Sequence, residues 1–168
     1  MPVKPGSFRF SAGLDGALVL KVLIVEDDLL IADLLEANLV AAGYAVCGIA
    51  CTVAEAVDLA ERYDPDLAVV DFYLRDSDNG TVVAAALRRR GKFGVLYATA
   101  SHADPLMSRA EGEGCLAKPY TTAALLAALD IVWEIACGRP APSTLPRRFW
   151  LLDANLRFPD EPAFVPVS

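Results

Sequence analysis

Five short apolar, β-prone runs alternate with stretches of helical period between residues 18 and 138, and four of those runs end on residues that carry chemistry. Val22–Val25 leads into Glu26-Asp27-Asp28, Leu67–Val70 into Asp71, Val95–Ala98 into Thr99-Ala100, and Cys115–Ala117 into Lys118-Pro119. Strands alternating with helices in this way pair parallel and are covered on both faces, which implies an α/β, doubly wound sheet of five parallel strands. The flavodoxin-like order 2-1-3-4-5 is the natural solution. It sets strands one, three, four and five side by side, with their carboxyl ends on the rim where open α/β sheets hold ligands. Three carboxylates, one hydroxyl and one ammonium would converge there. Carboxylates that close repel unless a hard cation joins them, and oxygen ligands on a flexible rim suit Mg2+. A lysine opposite them suits a transferred anion such as a phosphoryl group.

The elements between the motifs follow from local signals. Leu18–Val25 is apolar except for Lys21 and reads as a central strand. Leu29–Ala42 repeats Leu30, Leu34, Ala37 and Ala41 at helical spacing and stops at Gly43. Ala45–Ala50 is a second strand, and Thr52 with Glu55 forms a capping box that opens a helix to Tyr63. Asp64-Pro65-Asp66 turns the chain into the third strand, and a polar loop then runs to Gly80. Thr81–Arg90 is expected to be a helix whose basic end, Arg88-Arg89-Arg90, complements its dipole. A short helix is expected after Asp104-Pro105, and the last one spans Thr122–Cys137, closed by Gly138.

Residues 1–17 read as an N-terminal extension, 18–138 as the domain, and 139–168 as a Pro-rich tail too short for a conventional winged-helix or helix-turn-helix output domain. Six of the eleven prolines fall after Gly138, beside the apolar patch Phe149-Trp150-Leu151-Leu152. Along the last helix, Leu125, Leu129, Val132 and Ala136 line one side, and Ala124, Ala128, Ile131 and Ile135 another. One of these sides should pack on the sheet. The other needs a cover, either the tail's aromatic cluster or the same helix of a second subunit in a homodimer.

The formal charge of −7 argues against a basic face for nucleic acid. No apolar run approaches the ~18 residues of a membrane span, and Met1-Pro2-Val3-Lys4-Pro5-Gly6 lacks the apolar segment of a signal peptide. The four cysteines, Cys47, Cys51, Cys115 and Cys137, form no CxxC pair and read as small buried hydrophobes in a reducing cytoplasm.

In its motifs and their order the chain resembles the receiver domain of two-component response regulators, over roughly residues 20–138. The interval of 44 residues from Asp27 to Asp71 fits that pattern. The resemblance implies that Asp71 accepts a phosphoryl group from a histidine kinase or phosphotransfer protein. It implies that Asp27, Asp71 and the Tyr73 backbone carbonyl bind Mg2+ directly, with Glu26 acting through a metal-bound water. Thr99 and Lys118 would contact phosphoryl oxygens, Ala100 would leave a path to Asp71, and Lys118-Pro119 would be a cis peptide. Asp28 is assigned to the helix N-terminus. Signalling would run through altered contacts with a downstream protein partner, not through turnover of a substrate.

Several positions depart from the family pattern. Arg75 stands where a proline is usual, and Gly80 comes one residue late, behind Asp76-Ser77-Asp78-Asn79. The 19-residue interval from Thr99 to Lys118 is about three short, so the helix between them should be reduced, as in atypical single-domain receivers. Cys115 occupies the position of the aromatic switch residue, so the coupled Thr–aromatic switch does not transfer. The lone histidine, His102, reads as a loop-surface residue.

Two other function classes compete. A Mg2+-dependent phosphatase of the haloacid dehalogenase type needs a second aspartate two residues after the nucleophile, where this chain has Tyr73. A constitutive interaction module or phosphate sink would keep the site and lose the switch, which Cys115 permits. No phosphate-binding glycine motif supports nucleotide binding.

Overall fold

The computed structural model describes residues 19–74, 80–88, 93–100 and 112–152. In chain order these form β1 (Lys21–Val25), α1 (Leu29–Ala41), β2 (Ala45–Ala50), α2 (Val53–Tyr63), β3 (Leu67–Asp71), α3 (Gly80–Leu87), β4 (Gly94–Thr99), β5 (Gly114–Ala117), α4 (Thr122–Ala136) and β6 (Phe149–Leu151). The expected N-terminal extension, the loop Arg75–Asn79, Arg89 and Arg90, His102, the short helix after Asp104-Pro105 and the tail after Leu152 lie outside the described residues.

The sheet order is β2-β1-β3-β4-β5-β6. Its first five strands are parallel in the expected 2-1-3-4-5 order, and β6 adds a sixth, antiparallel to β5. The five-stranded expectation is therefore one strand short. The extra strand comes from the tail, whose prolines concealed a three-residue apolar segment able to pair with an open edge.

Alternate residues of every central strand face opposite layers, so two cores form. On one side Leu23, Val25, Ala68, Val70, Val95 and Tyr97 pack under α2 and α3. On the other, Val22, Ile24, Leu67, Val69, Leu96 and Leu116 pack under α1 and α4. β6 obeys the same alternation: Phe149 and Leu151 join the α4 side, Trp150 and Leu152 the α2–α3 side. The tail thus extends the sheet instead of lying over the outer side of the last helix. Both sides of that helix reach the α1–α4 core, Leu125, Leu129 and Val132 from one and Ala128 and Ile131 from the other.

Caps set the helix ends. Asp28 accepts from the amides of Leu30 and Ile31 at 3.0 and 3.4 Å, as a helix N-cap should. Thr52 caps Glu55 N–H at 3.2 Å, while the Glu55 carboxylate reaches one residue further back than a standard box, to Cys51 N–H at 2.7 Å. Gly43 (φ +95°) takes the left-handed turn that ends α1. Arg88, just past the end of α3, pairs its guanidinium with the buried Glu113 carboxylate, which also accepts from Val95 N–H at 2.6 Å. Of the four free cysteines only Cys115 is buried; the other three are half-buried. No helix among the described residues is long and apolar enough to cross a membrane.

Candidate functional site

Pairing of Val25 with Val70, Asp71 with Ala98, and Thr99 with Ala117 brings the carboxyl ends of β1, β3, β4 and β5 level. Glu26, Asp71, Thr99 and Lys118 therefore stand in a row across one rim, as the spacing of the motifs predicts. Glu26 is 2% exposed and Asp71 9%, which is unusual for carboxylates and demands partners.

Those partners converge from three sides. Lys118 Nζ donates to Glu26 Oε2 and to Asp71 Oδ2, each at 3.1 Å. The other Glu26 oxygen accepts from Asp28 N–H at 3.1 Å, and the other Asp71 oxygen from Tyr73 N–H at 3.1 Å. That last bond draws the Tyr73 main chain in beside the Asp71 carboxylate. Lys118 N–H in turn bonds the Thr99 carbonyl at 2.7 Å, and the Lys118–Pro119 peptide is cis. Thr99 is fully buried, while Ala100 is exposed at the end of β4.

Glu26, Asp27 and Asp71 each offer a carboxylate oxygen, and these oxygens lie within 4.8 Å of one another. One ammonium against three carboxylates leaves an excess of negative charge, and an all-oxygen donor set at this spacing fits Mg2+. Burial pushes the Glu26 carboxyl above its ordinary range, and the nearby Asp71 charge adds to this, while Asp28 N–H and Lys118 pull it down. For Lys118, burial disfavours the charged form, but the Asp71 and Glu26 carboxylates outweigh it and the ammonium is held above its ordinary value.

Tyr73 is 47% exposed and leans edge-on against Phe72, with ring centroids 5.1 Å apart. Two features escaped the sequence reading. A Cβ on Gly80 would stand 2.5 Å from the Asp71 carbonyl oxygen, so α3 begins against the main chain of Asp71 only because residue 80 is glycine. Arg148, just before β6, donates to the Lys118 carbonyl at 3.2 Å. The first had a signal in Gly80 itself, read as a loop end and as a glycine one residue late, but not as a close approach to Asp71. The second had none, since 30 residues separate the pair.

A family model described as the response regulator receiver domain matches residues 22–130. The transcriptional regulatory protein PdtaR of Mycobacterium tuberculosis is 32% identical over 120 residues, which cover 70% of this chain and 58% of that protein. Among solved structures, the signal receiver domain of a modulated diguanylate cyclase from Desulfovibrio desulfuricans G20 is similar, with TM-score 0.65 and 31% identity over 71% of this chain and 97% of that one. A CheY-like receiver domain protein from Methanospirillum hungatei JF-1 gives TM-score 0.64 and 25% identity, over 72% and 98% of the two chains.

Proposed function

The chain belongs to the response regulator receiver family, and we propose that within it Asp71 is the phosphoacceptor of a phosphorylation-based signalling protein. The observation that carries this reading is the single ammonium of Lys118 bridging Glu26 and Asp71 beside a third carboxylate, Asp27. A purely structural ion pair has no use for two further acids.

The chemistry assigned to the chain's own groups is brief. An Asp71 carboxylate oxygen attacks phosphorus; the bond from phosphorus to the donor's nitrogen or oxygen breaks, and its electron pair leaves with the donor. Lys118 exchanges one of its carboxylate contacts for a phosphoryl oxygen and acts as a fixed charge. The Thr99 hydroxyl donates to another phosphoryl oxygen. Mg2+, for which Asp27, Asp71 and the Tyr73 carbonyl are the proposed ligands with Glu26 behind them, supplies neutralisation of charge on the transferring group when bound. The donor is a histidine kinase or phosphotransfer protein in the cytoplasm, and the output is a changed contact with a protein partner. In this reading the chain is no enzyme acting on a separate substrate.

With Mg2+ and acetyl phosphate or a phosphohistidine donor, one base-labile phosphoryl group should appear on wild-type protein. Asp71→Asn and chelation of the metal should each abolish it. Label persisting undiminished in Asp71→Asn would refute the assignment. A second reading, a constitutive module or phosphate sink, draws on the buried Cys115 at the switch position. Partner affinity that is the same with and without a phosphoryl mimic would favour it.

A further inference from the structure

The backbone on both sides of Lys118 is held, and the outer hold comes from the tail. On the inner side, Lys118 N–H bonds the Thr99 carbonyl. On the outer side, Ala117 N–H donates to the Arg148 carbonyl at 2.9 Å, and the Arg148 guanidinium reaches back to the Lys118 carbonyl at 3.2 Å. Without β6, the four-residue β5 would end the sheet, and the peptide that aims Lys118 would be tethered on one side only.

Three further features show that this contact is built in. Gly114 of β5 has no side chain where Phe149 sits: a Cβ there would meet the Phe149 ring at 2.4 Å. Phe149 is 4% exposed, wedged into the α4 side of the core, so the start of β6 is anchored directly after Arg148. Arg148 itself adopts φ +64°, a conformation that side-chain-bearing residues rarely take and that persists only where the surroundings fix it. Glycine would meet this backbone requirement at less cost, and arginine stands there instead, with its guanidinium on the lysine peptide.

We propose that Arg148 is a positioning residue for the phosphoryl-binding lysine: clamped by Phe149 on Gly114, it fixes the Ala117–Lys118 corner, so that the ammonium meets the transferring group in one geometry. This rests on the phosphoacceptor reading of Asp71. It adds to that reading a residue beyond Lys118, in the turn that leads into the antiparallel edge strand β6.

Arg148→Gly separates positioning from folding. It removes the guanidinium but relaxes the left-handed backbone, so it should leave the melting temperature unchanged or raise it. The limiting rate of Asp71 phosphorylation by acetyl phosphate should nonetheless fall about tenfold, the scale seen when residues that orient a site's ligands are lost. Half-saturating Mg2+ should stay put, because Glu26, Asp27 and Asp71 are untouched. Arg148→Lys, which keeps a cationic donor, should recover part of the rate. Wild-type rates in Arg148→Gly would overturn the proposal, as would a rate loss that appears only with a matching loss of melting temperature or of Mg2+ affinity. Wild-type protein that takes no label at all would refute the phosphoacceptor reading and this one with it. Labelled wild type with undiminished variants would refute this one alone.

Discussion

Gly80 shows how tightly a single residue can tie Asp71 to the fold. Its amide donates to the Phe72 carbonyl at 3.1 Å, and a methyl at this point would stand 2.5 Å from the Asp71 carbonyl and 2.9 Å from Val70 Cγ1. The nearest atom is backbone and cannot swing aside, so the first turn of α3 or the end of β3 must shift. Gly80→Ala should therefore cost roughly 1–3 kcal/mol in urea unfolding, in the range of overpacked sites, and should slow phosphorylation of Asp71. A variant as stable and as readily labelled as wild type would show that the α3 start yields freely. In the proposed function Tyr73, whose N–H bonds the Asp71 carboxylate, acts after transfer. Its half-exposed ring, two residues past Asp71, is steadied by Phe72, and we propose that it hinders the approach of water to an acyl phosphate. Tyr73→Ala should shorten the phosphorylated state's lifetime several-fold in a label-decay assay, and an equal or longer lifetime would rule out shielding.

At the scale of elements, α1 separates what periodicity reveals from what it leaves open. The stripe Leu30, Leu34, Ala37 and Ala41 is regular, yet those residues face water, Leu30 at 82% exposure and Leu34 at 63%. The side that packs on the sheet is Ala32, Leu35 and Leu39. Both stripes are apolar at helical spacing, so the period identifies the helix but not its phase. Leu34→Gln should accordingly change stability by no more than about 0.5 kcal/mol, whereas Leu35→Ala, one residue on, should cost about 2–5 kcal/mol. Equal losses in denaturant titrations would mean that the exposed stripe is covered. Elsewhere local chemistry was enough: the strand ends at Val25, Asp71 and Thr99 and the caps at Asp28 and Thr52 stand where polar residues interrupt apolar runs. For the same reason the row of Glu26, Asp71, Thr99 and Lys118 was legible, since parallel strands of known order must bring their carboxyl ends level. What was not legible depends on pairing between distant segments. Arg88 turns to Glu113 across 25 residues, and the tail turns to β5 across more than 30. No local pattern encodes either.

For the molecule as a whole, the tail decides whether the sheet has an open edge beside its site. β6 covers β5 from the Glu113 carbonyl, which accepts from Leu152 N–H at 3.0 Å, to Ala117 N–H. Its side chains enter both cores at once, Phe149 on the α4 side and Trp150 and Leu152 on the α2–α3 side beside Cys115. Losing it would expose a short strand with unpaired backbone groups together with the apolar surface under Phe149, the combination that invites edge-to-edge pairing. Phe149→Ala alone should cost about 3–5 kcal/mol, because Gly114 has no side chain with which to fill the space. Deleting residues 140–168 should go further. We expect a lower denaturation midpoint, binding of a hydrophobic dye, and self-association that rises with concentration in sedimentation experiments. Phe149→Ala should share the destabilisation but not the association, since its β6 backbone can still pair with β5. If both variants associate equally, the exposed apolar surface drives it and not the open strand edge; if neither does, β5 is protected without β6. A truncated protein that matches the full chain in midpoint, dye binding and mass would show that the sixth strand contributes nothing to the fold.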